Sequence, residues 1–210
     1  EYTVALKGDG TVWTWGRNDL GQLGVWTTPS NWITTPLQVR SITGVTAVTA
    51  GNAHTVVLKG DGTVWTWGSN DKGSFGNGTV GGWGVEPVQA SDLTGVSAIA
   101  TGSYSTIALK SDGTVWTWGG HGGTAIPVQV PDLSGVTAIA AGYEHYIALK
   151  DDGTVWTWGC NSSDQLGGGT TSYTYRSTPG QGFGLTAVNA IAPSGARNVA
   201  LKDDGTVGAR

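Results

Sequence analysis

"TVWTWG" stands at 11–16 and recurs letter for letter at 63–68, 114–119 and 154–159. Each copy follows an Asp-Gly dipeptide, and each Asp-Gly follows an apolar run ending in lysine, such as HTVVLK at 54–59. A reactive centre is needed once, so a hexapeptide present four times reports architecture. Side chains alternate along a strand, which puts Val12 and Thr14 on one face and Trp13 and Trp15 on the other. The same holds for Trp65 and Trp67, Trp116 and Trp118, and Trp156 and Trp158. A ring of this size buries about 150–250 Å². All eight are therefore expected to pack between layers, large rings meeting small β-branched groups.

Working outward, Asp-Gly between two alternating runs is a strong hairpin signal, because glycine supplies the positive φ of a tight turn. It occurs at Asp9-Gly10, Asp61-Gly62, Asp112-Gly113, Asp152-Gly153 and Asp204-Gly205. Upstream lie short alternations, VTAVTAG at 45–51, VSAIATG at 96–102 and VTAIAAG at 136–142; downstream lie PLQV at 36–39, PVQA at 87–90 and PVQV at 127–130. Each unit thus predicts four short antiparallel strands, A to D. The preceding lysines, Lys7, Lys59, Lys110, Lys150 and Lys202, are spaced by 52, 51, 40 and 52 residues. A period near 50 with four strands per unit predicts an all-β propeller of four-stranded antiparallel blades. The expected repeats run about 1–43, 44–94, 95–134, 135–185 and 186–210, three full and two partial, within one domain over 1–210. Strand B occurs at both ends, so the two ends overlap instead of completing one blade. The expectation is an arc of a larger, seven-bladed ring, with a closed five-bladed ring as the alternative.

The charge of −4 and the scarcity of basic residues argue against nucleic acid as a partner. No apolar run is long enough to insert in a membrane as a helix. Apolar content and patterning are too high for disorder. With no methionine anywhere, the chain reads as starting at a processed or excised end, from which a leader could have been lost. The single cysteine, Cys160, excludes a disulfide framework within the chain. It reads as a loop substitution, with a reactive thiol as the alternative. The Asp-Gly aspartates read as turn formers. His54 and His145 share one repeat position and so face different blades, which suits hydrogen bonding at a strand start better than a shared metal. No nucleophile motif, phosphate loop or metal cluster is written in the chain, so neither an enzyme nor a cofactor is expected.

GRNDLGQLG at 16–24, GCNSSDQLG at 159–167 and AGNAHTVVLKGDGTVWTWG at 50–68 resemble the regulator of chromosome condensation repeat, a propeller family. The resemblance covers nearly the whole chain. It departs at Ser74 and Phe75, which replace Gln22 and Leu23, and at GGHGGTAIPVQV (119–130), which is about eleven residues short. The last unit, ending TVGAR, lacks its Trp pair. The family includes exchange factors for a small GTPase, secreted inhibitors of β-lactamases and bacterial surface proteins. The near-identical units look most like the secreted bacterial group, which implies an extracellular or cell-surface location.

Only the segments after each Trp-Gly break the repeat. They carry Trp26, Trp32, Trp83, His121, Tyr173 and Tyr175, aromatic or imidazole groups outside the repeated pattern. Loops carry function on rigid scaffolds, and exposed rings suit partner contact. Two roles stay open for them: contact with a partner, protein or alternatively carbohydrate, or capping of the blade edges. The expected function is a non-catalytic binding module; the alternative is an inhibitor or regulator of a partner enzyme, or an exchange-factor-like protein. Self-association through open blade faces is a further expectation.

Overall fold

Each unit of the repeat folds into one antiparallel sheet, with strands in chain order across it. In the computed structural model, which describes residues 1–27, 31–169, 175–182 and 184–209, no helix occurs among the described residues. Blade 1 holds β1 (Tyr2–Leu6), β2 (Val12–Arg17) and β3 (Trp32–Val39). Blade 2 holds β4 (Val45–Ala50), β5 (His54–Lys59), β6 (Val64–Ser69) and β7 (Trp83–Gln89). Blade 3 holds β8 (Val96–Thr101), β9 (Ser105–Lys110), β10 (Val115–Gly119) and the two-residue β11 (Val128–Gln129). Blade 4 holds β12 (Val136–Ala141), β13 (His145–Lys150), β14 (Val155–Gly159) and β15 (Arg176–Gln181). Blade 5 holds β16 (Val188–Ser194), β17 (Arg197–Lys202) and β18 (Val207–Ala209).

The hairpins form where the Asp-Gly pairs predict them. Gly10, Gly62, Gly113, Gly153 and Gly205 all take φ between 74° and 80°. The aspartate before each glycine accepts from the backbone N–H and the hydroxyl of the threonine after it, as Asp61 does from Thr63. These bonds, led by the threonine hydroxyl, hold the Asp9, Asp61, Asp112, Asp152 and Asp204 carboxyls below their ordinary value. The threonine in turn accepts from the first tryptophan of the pair, Trp65 Nε1 to Thr63 Oγ1 at 3.1 Å. A lysine ammonium covers that ring, at 5.4–5.7 Å from the centroid in Trp13, Trp65, Trp116 and Trp156. The first tryptophan is thus half-buried under the aliphatic stem of a lysine.

The second tryptophan goes deeper. Trp67, Trp118 and Trp158 are buried between blades, whereas Trp15, in the first blade, is only partly so. At each of the seams 1–2 and 2–3, a turn from the preceding blade receives the ring. Trp67 Nε1 donates to the Gln22 carbonyl and Trp118 Nε1 to the Ser74 carbonyl, both at 3.0 Å. The same turns are tied to their own blades: Thr14 Oγ1 donates to the Leu23 carbonyl, Thr66 to Phe75 and Thr157 to Leu166. Asn18, Asn70 and Asn161 brace the turn from inside, their side-chain carbonyls accepting from the N–H of Leu23, Phe75 and Leu166. Each turn is therefore a wedge between successive blades.

The core consists of four seams between successive blades. Val12, Val39, Val45, Val57 and Trp67 fill the first, and Val56, Val64, Leu93, Ala108 and Trp118 the second. Ile107, Val115, Leu133, Tyr146 and Trp158 fill the third, and Ile147, Leu149, Val155 and Val188 the fourth. Val56 and Val57 serve different seams, as alternation requires of a strand covered on both faces. The packed strand pairs run in series, β1 on β4, β4 on β8, β8 on β12 and β12 on β16. Val199, Leu201 and Val207 in blade 5 are exposed. Among the described residues, no sheet or core cluster joins blade 5 back to blade 1.

Candidate interaction face

In an antiparallel sheet of order A-B-C-D, the A–B and C–D connections leave at one rim and the B–C and D–A connections at the other. The B–C rim is the regular one, with its repeated Asp-Gly turns and lysine-covered tryptophans. The opposite rim carries the long C–D loops, where the blades differ most.

On that rim Trp26, Trp32 and Trp83 are 72%, 62% and 51% exposed. Trp32 and Trp83 hold equivalent positions at the start of strand D, paired with Arg17 and Ser69. Trp26, from the C–D loop of blade 1, meets Trp83 of blade 2 edge to face, with centroids 6.3 Å apart. His121 lies in the short loop of blade 3, its Nε2 3.4 Å from Glu144 Oε1 and its ring 6.3 Å from Tyr104, edge to face. Tyr175 borders the same shallow hollow, together with Tyr143, which is 57% exposed. Tyr173 lies outside the described residues. The described candidate residues thus divide into two groups: three tryptophans over blades 1 and 2, of which Trp26 and Trp83 meet, and a tyrosine–histidine group over blades 3 and 4.

Tyr104, Tyr143 and Glu144 were not singled out by the repeat pattern. They sit in the A–B turns, where NAH (52–54), SYS (103–105) and YEH (143–145) align. Comparing those three turns position by position is the signal that finds them.

The rim's chemistry is that of contact. Among the described residues, no three His, Cys, Asp or Glu side chains come together in a metal-binding arrangement. His54 and His145 are fully buried at seams. Burial pushes the His54 imidazole down from 6.5 to about 4. Burial also lowers His145, opposed by its 2.7 Å hydrogen bond to Asn198. Cys160 is partly exposed and lies 3.4 Å from the Ser162 hydroxyl.

Five consecutive antiparallel blades, the middle three four-stranded and the outer two three-stranded, with a repeated wedge turn between most of them, define a β-propeller built of sequence repeats. The model of the "Regulator of chromosome condensation (RCC1) repeat" matches residues 9–58, 61–109 and 152–192, and a second model of that repeat matches 45–74 and 136–165. The chain belongs to this repeat family. It is 39% identical over 121 residues to the human E3 ubiquitin-protein ligase HERC2, covering 56% of this chain and 2% of that protein. It is 30% identical over 123 residues to the ultraviolet-B receptor UVR8 of Arabidopsis thaliana, covering 57% of this chain and 28% of that one. Human WBSCR16 superposes with a TM-score of 0.86 at 22% identity, over 99% of this chain and 58% of that one. Prp20p from Saccharomyces cerevisiae superposes with a TM-score of 0.82 at 21% identity, over 98% and 55%. The chain therefore spans little more than half of those solved structures and a small part of the two sequence relatives.

Proposed function

We propose that this propeller segment is a non-catalytic binding module whose variable rim engages a protein. One observation carries the reading: among the described residues, the exposed tryptophan and tyrosine rings, Trp26, Trp32, Trp83, Tyr143 and Tyr175, all stand on the rim where the blades differ most. Large rings with few rotatable bonds give much contact area at low entropic cost, and such residues dominate interface energetics. The relatives support the same class of function, since the solved work on Prp20p concerns its binding to Gsp1p and histones. The extracellular setting belongs to this proposal, as does regulation of an enzyme by the bound module.

The test begins with capture from extracts of the encoding organism by the wild-type chain and by a Trp26→Ser/Trp83→Ser variant. Any protein enriched only by the wild type is then purified, and its Kd measured. Loss of a hot-spot pair is expected to weaken binding by about 30-fold or more. Lys59→Gln, on the regular rim, is expected to leave the Kd unchanged. A partner that binds the double variant as tightly as the wild type overturns the reading. So does a glycan that accounts for all rim-dependent binding.

A further inference from the structure

Three of the four seams contain a wedge turn from the preceding blade, with Gln22-Leu23, Ser74-Phe75 or Gln165-Leu166 at its centre. The turn does two things at once. One of its carbonyls takes a donor from the next blade, Trp67 and Thr55 for Gln22, Trp118 for Ser74 and Asn198 for Gln165. The next residue's side chain, Leu23, Phe75 or Leu166, is buried behind it, and its carbonyl takes the hydroxyl of Thr14, Thr66 or Thr157.

The third seam differs because blade 3 runs from Gly119 to Val130 without the eleven residues that build the turn. What stands there is a cleft of about 200 Å³. Its walls include Thr117, Tyr146 and Trp158, the seam-3 counterparts of Thr66, Thr106 and Trp118. Thr117 is only partly buried, whereas Thr14, Thr66 and Thr157 are fully buried. Among the described residues, neither the Trp158 indole nor the Thr117 hydroxyl meets a turn carbonyl from blade 3. Tyr175 lines both this cleft and the neighbouring hollow on the variable rim.

We infer that the seam between blades 3 and 4 is a peptide-binding site that takes from a partner the turn that blade 3 lacks. The ligand class follows from the three seams where this chain fills the place itself. It is a tight turn of the form (Gly or Asp)-x-(Leu or Phe)-Gly, presenting the carbonyl of x to Trp158 Nε1, the next carbonyl to Thr117 Oγ1, and the Leu or Phe side chain to the interior. The flanking glycine is part of the requirement, because a Cβ on Gly24 or Gly76 would fall 2.8 or 2.7 Å from the indole nitrogen of Trp67 or Trp118. Partner binding of this kind adds a missing secondary-structure piece to an incomplete fold. The inference rests on the reading of the variable rim as protein-binding and names one segment of the partner.

The test uses the peptide NDLGQLG, the chain's own residues 18–24, and a scrambled control. The readout is the set of indole N–H resonances, with Trp158 assigned by Trp158→Phe. The peptide is expected to move the Trp158 resonance in a saturable way and leave those of Trp67 and Trp118 in place; the scrambled peptide should move none. Trp158→Phe is expected to weaken binding about 10-fold. Grafting residues 69–79 into the blade 3 loop should abolish peptide binding, because the seam then closes on itself. Should the graft fail to fold, the wild-type titration decides alone. No saturable shift at Trp158, or equal shifts at all three indoles, overturns the site. Because the Trp26/Trp83 comparison concerns a different part of the rim, a failure here is distinguishable from a failure of the protein-binding reading.

Discussion

His54 and Tyr2 occupy the same place in successive blades, yet one is an imidazole whose two nitrogens are buried without a partner and the other a phenol that donates to the His54 carbonyl at 2.6 Å. Burial favours the neutral form of each, lowering the imidazole and raising the phenol. For His54 the consequence for stability has a definite sign. Between pH 6.5 and about 4 the unfolded chain binds a proton that the folded chain refuses, so unfolding becomes easier as pH falls. The contribution is complete above 6.5 and lost on passing about 4, a span worth about 3 kcal/mol. His145 acts in the same direction. The five turn aspartates act lower, since their folded values lie under 3.8. Urea denaturation at a series of pH values should show wild-type stability falling across that window and the His54→Asn variant falling less. An identical slope for the two removes the assignment.

At the scale of the element, the wedge turn joins two blades through one asparagine. Asn70 is buried, accepts from Phe75 N–H at 3.0 Å and donates to both the carbonyl and the hydroxyl of Thr79. Asn70→Ala leaves the buried Phe75 N–H without its partner and is expected to cost about 1–3 kcal/mol. Its effect should cross the seam: the Trp118 indole, held by Ser74 in the same turn, is expected to exchange with solvent faster, while Trp67 stays as it was. Unchanged Trp118 exchange in a destabilised variant would show that the turn serves its own blade only. These elements were legible in the sequence to different depths. The strands and hairpins were, because Asp-Gly and strict alternation are local signals. The two depths of the tryptophan pair were not, since Trp65 and Trp67 share a face and what separates them is a lysine on one side and another blade's turn on the other. The meeting of Trp26 with Trp83 was equally hidden, as it depends on how two blades fan. Tyr143 was missed because it lies beside the recurrent Gly142, in a turn that reads as part of the repeat.

For the molecule as a whole, each blade touches only its neighbours, so stability accumulates seam by seam, as in other repeat arrays. The third seam lacks its wedge and borders the shortest strand, β11. Hydrogen exchange is expected to be fastest, among the interior seams, for amides of β10 and β11 and the Gly119–Thr124 loop, and limited proteolysis should cut first there. Uniform protection across all four seams would mean that the short loop closes the gap on its own.

One feature of the seams bears on how such a chain avoids assembling in the wrong order. Blades with nearly the same sequence invite exchange of one for another, a known hazard of repeat proteins. The strands carrying TVWTWG cannot prevent it, being identical. The residue opening strand B and the residue it faces in the next blade are not identical. Tyr2 takes Thr55, and Ser105 lies against the larger Tyr146. His145 takes Asn198, while the buried His54 ring has no hydrogen-bond partner among the described residues. A tyrosine set against Tyr146 would collide, and a serine set against Asn198 would fall short. Three dissimilar pairings, and a fourth seam where the histidine has none, work as an address on each blade, so the identity of the chain's order resides in the few side chains that the repeat left free to vary.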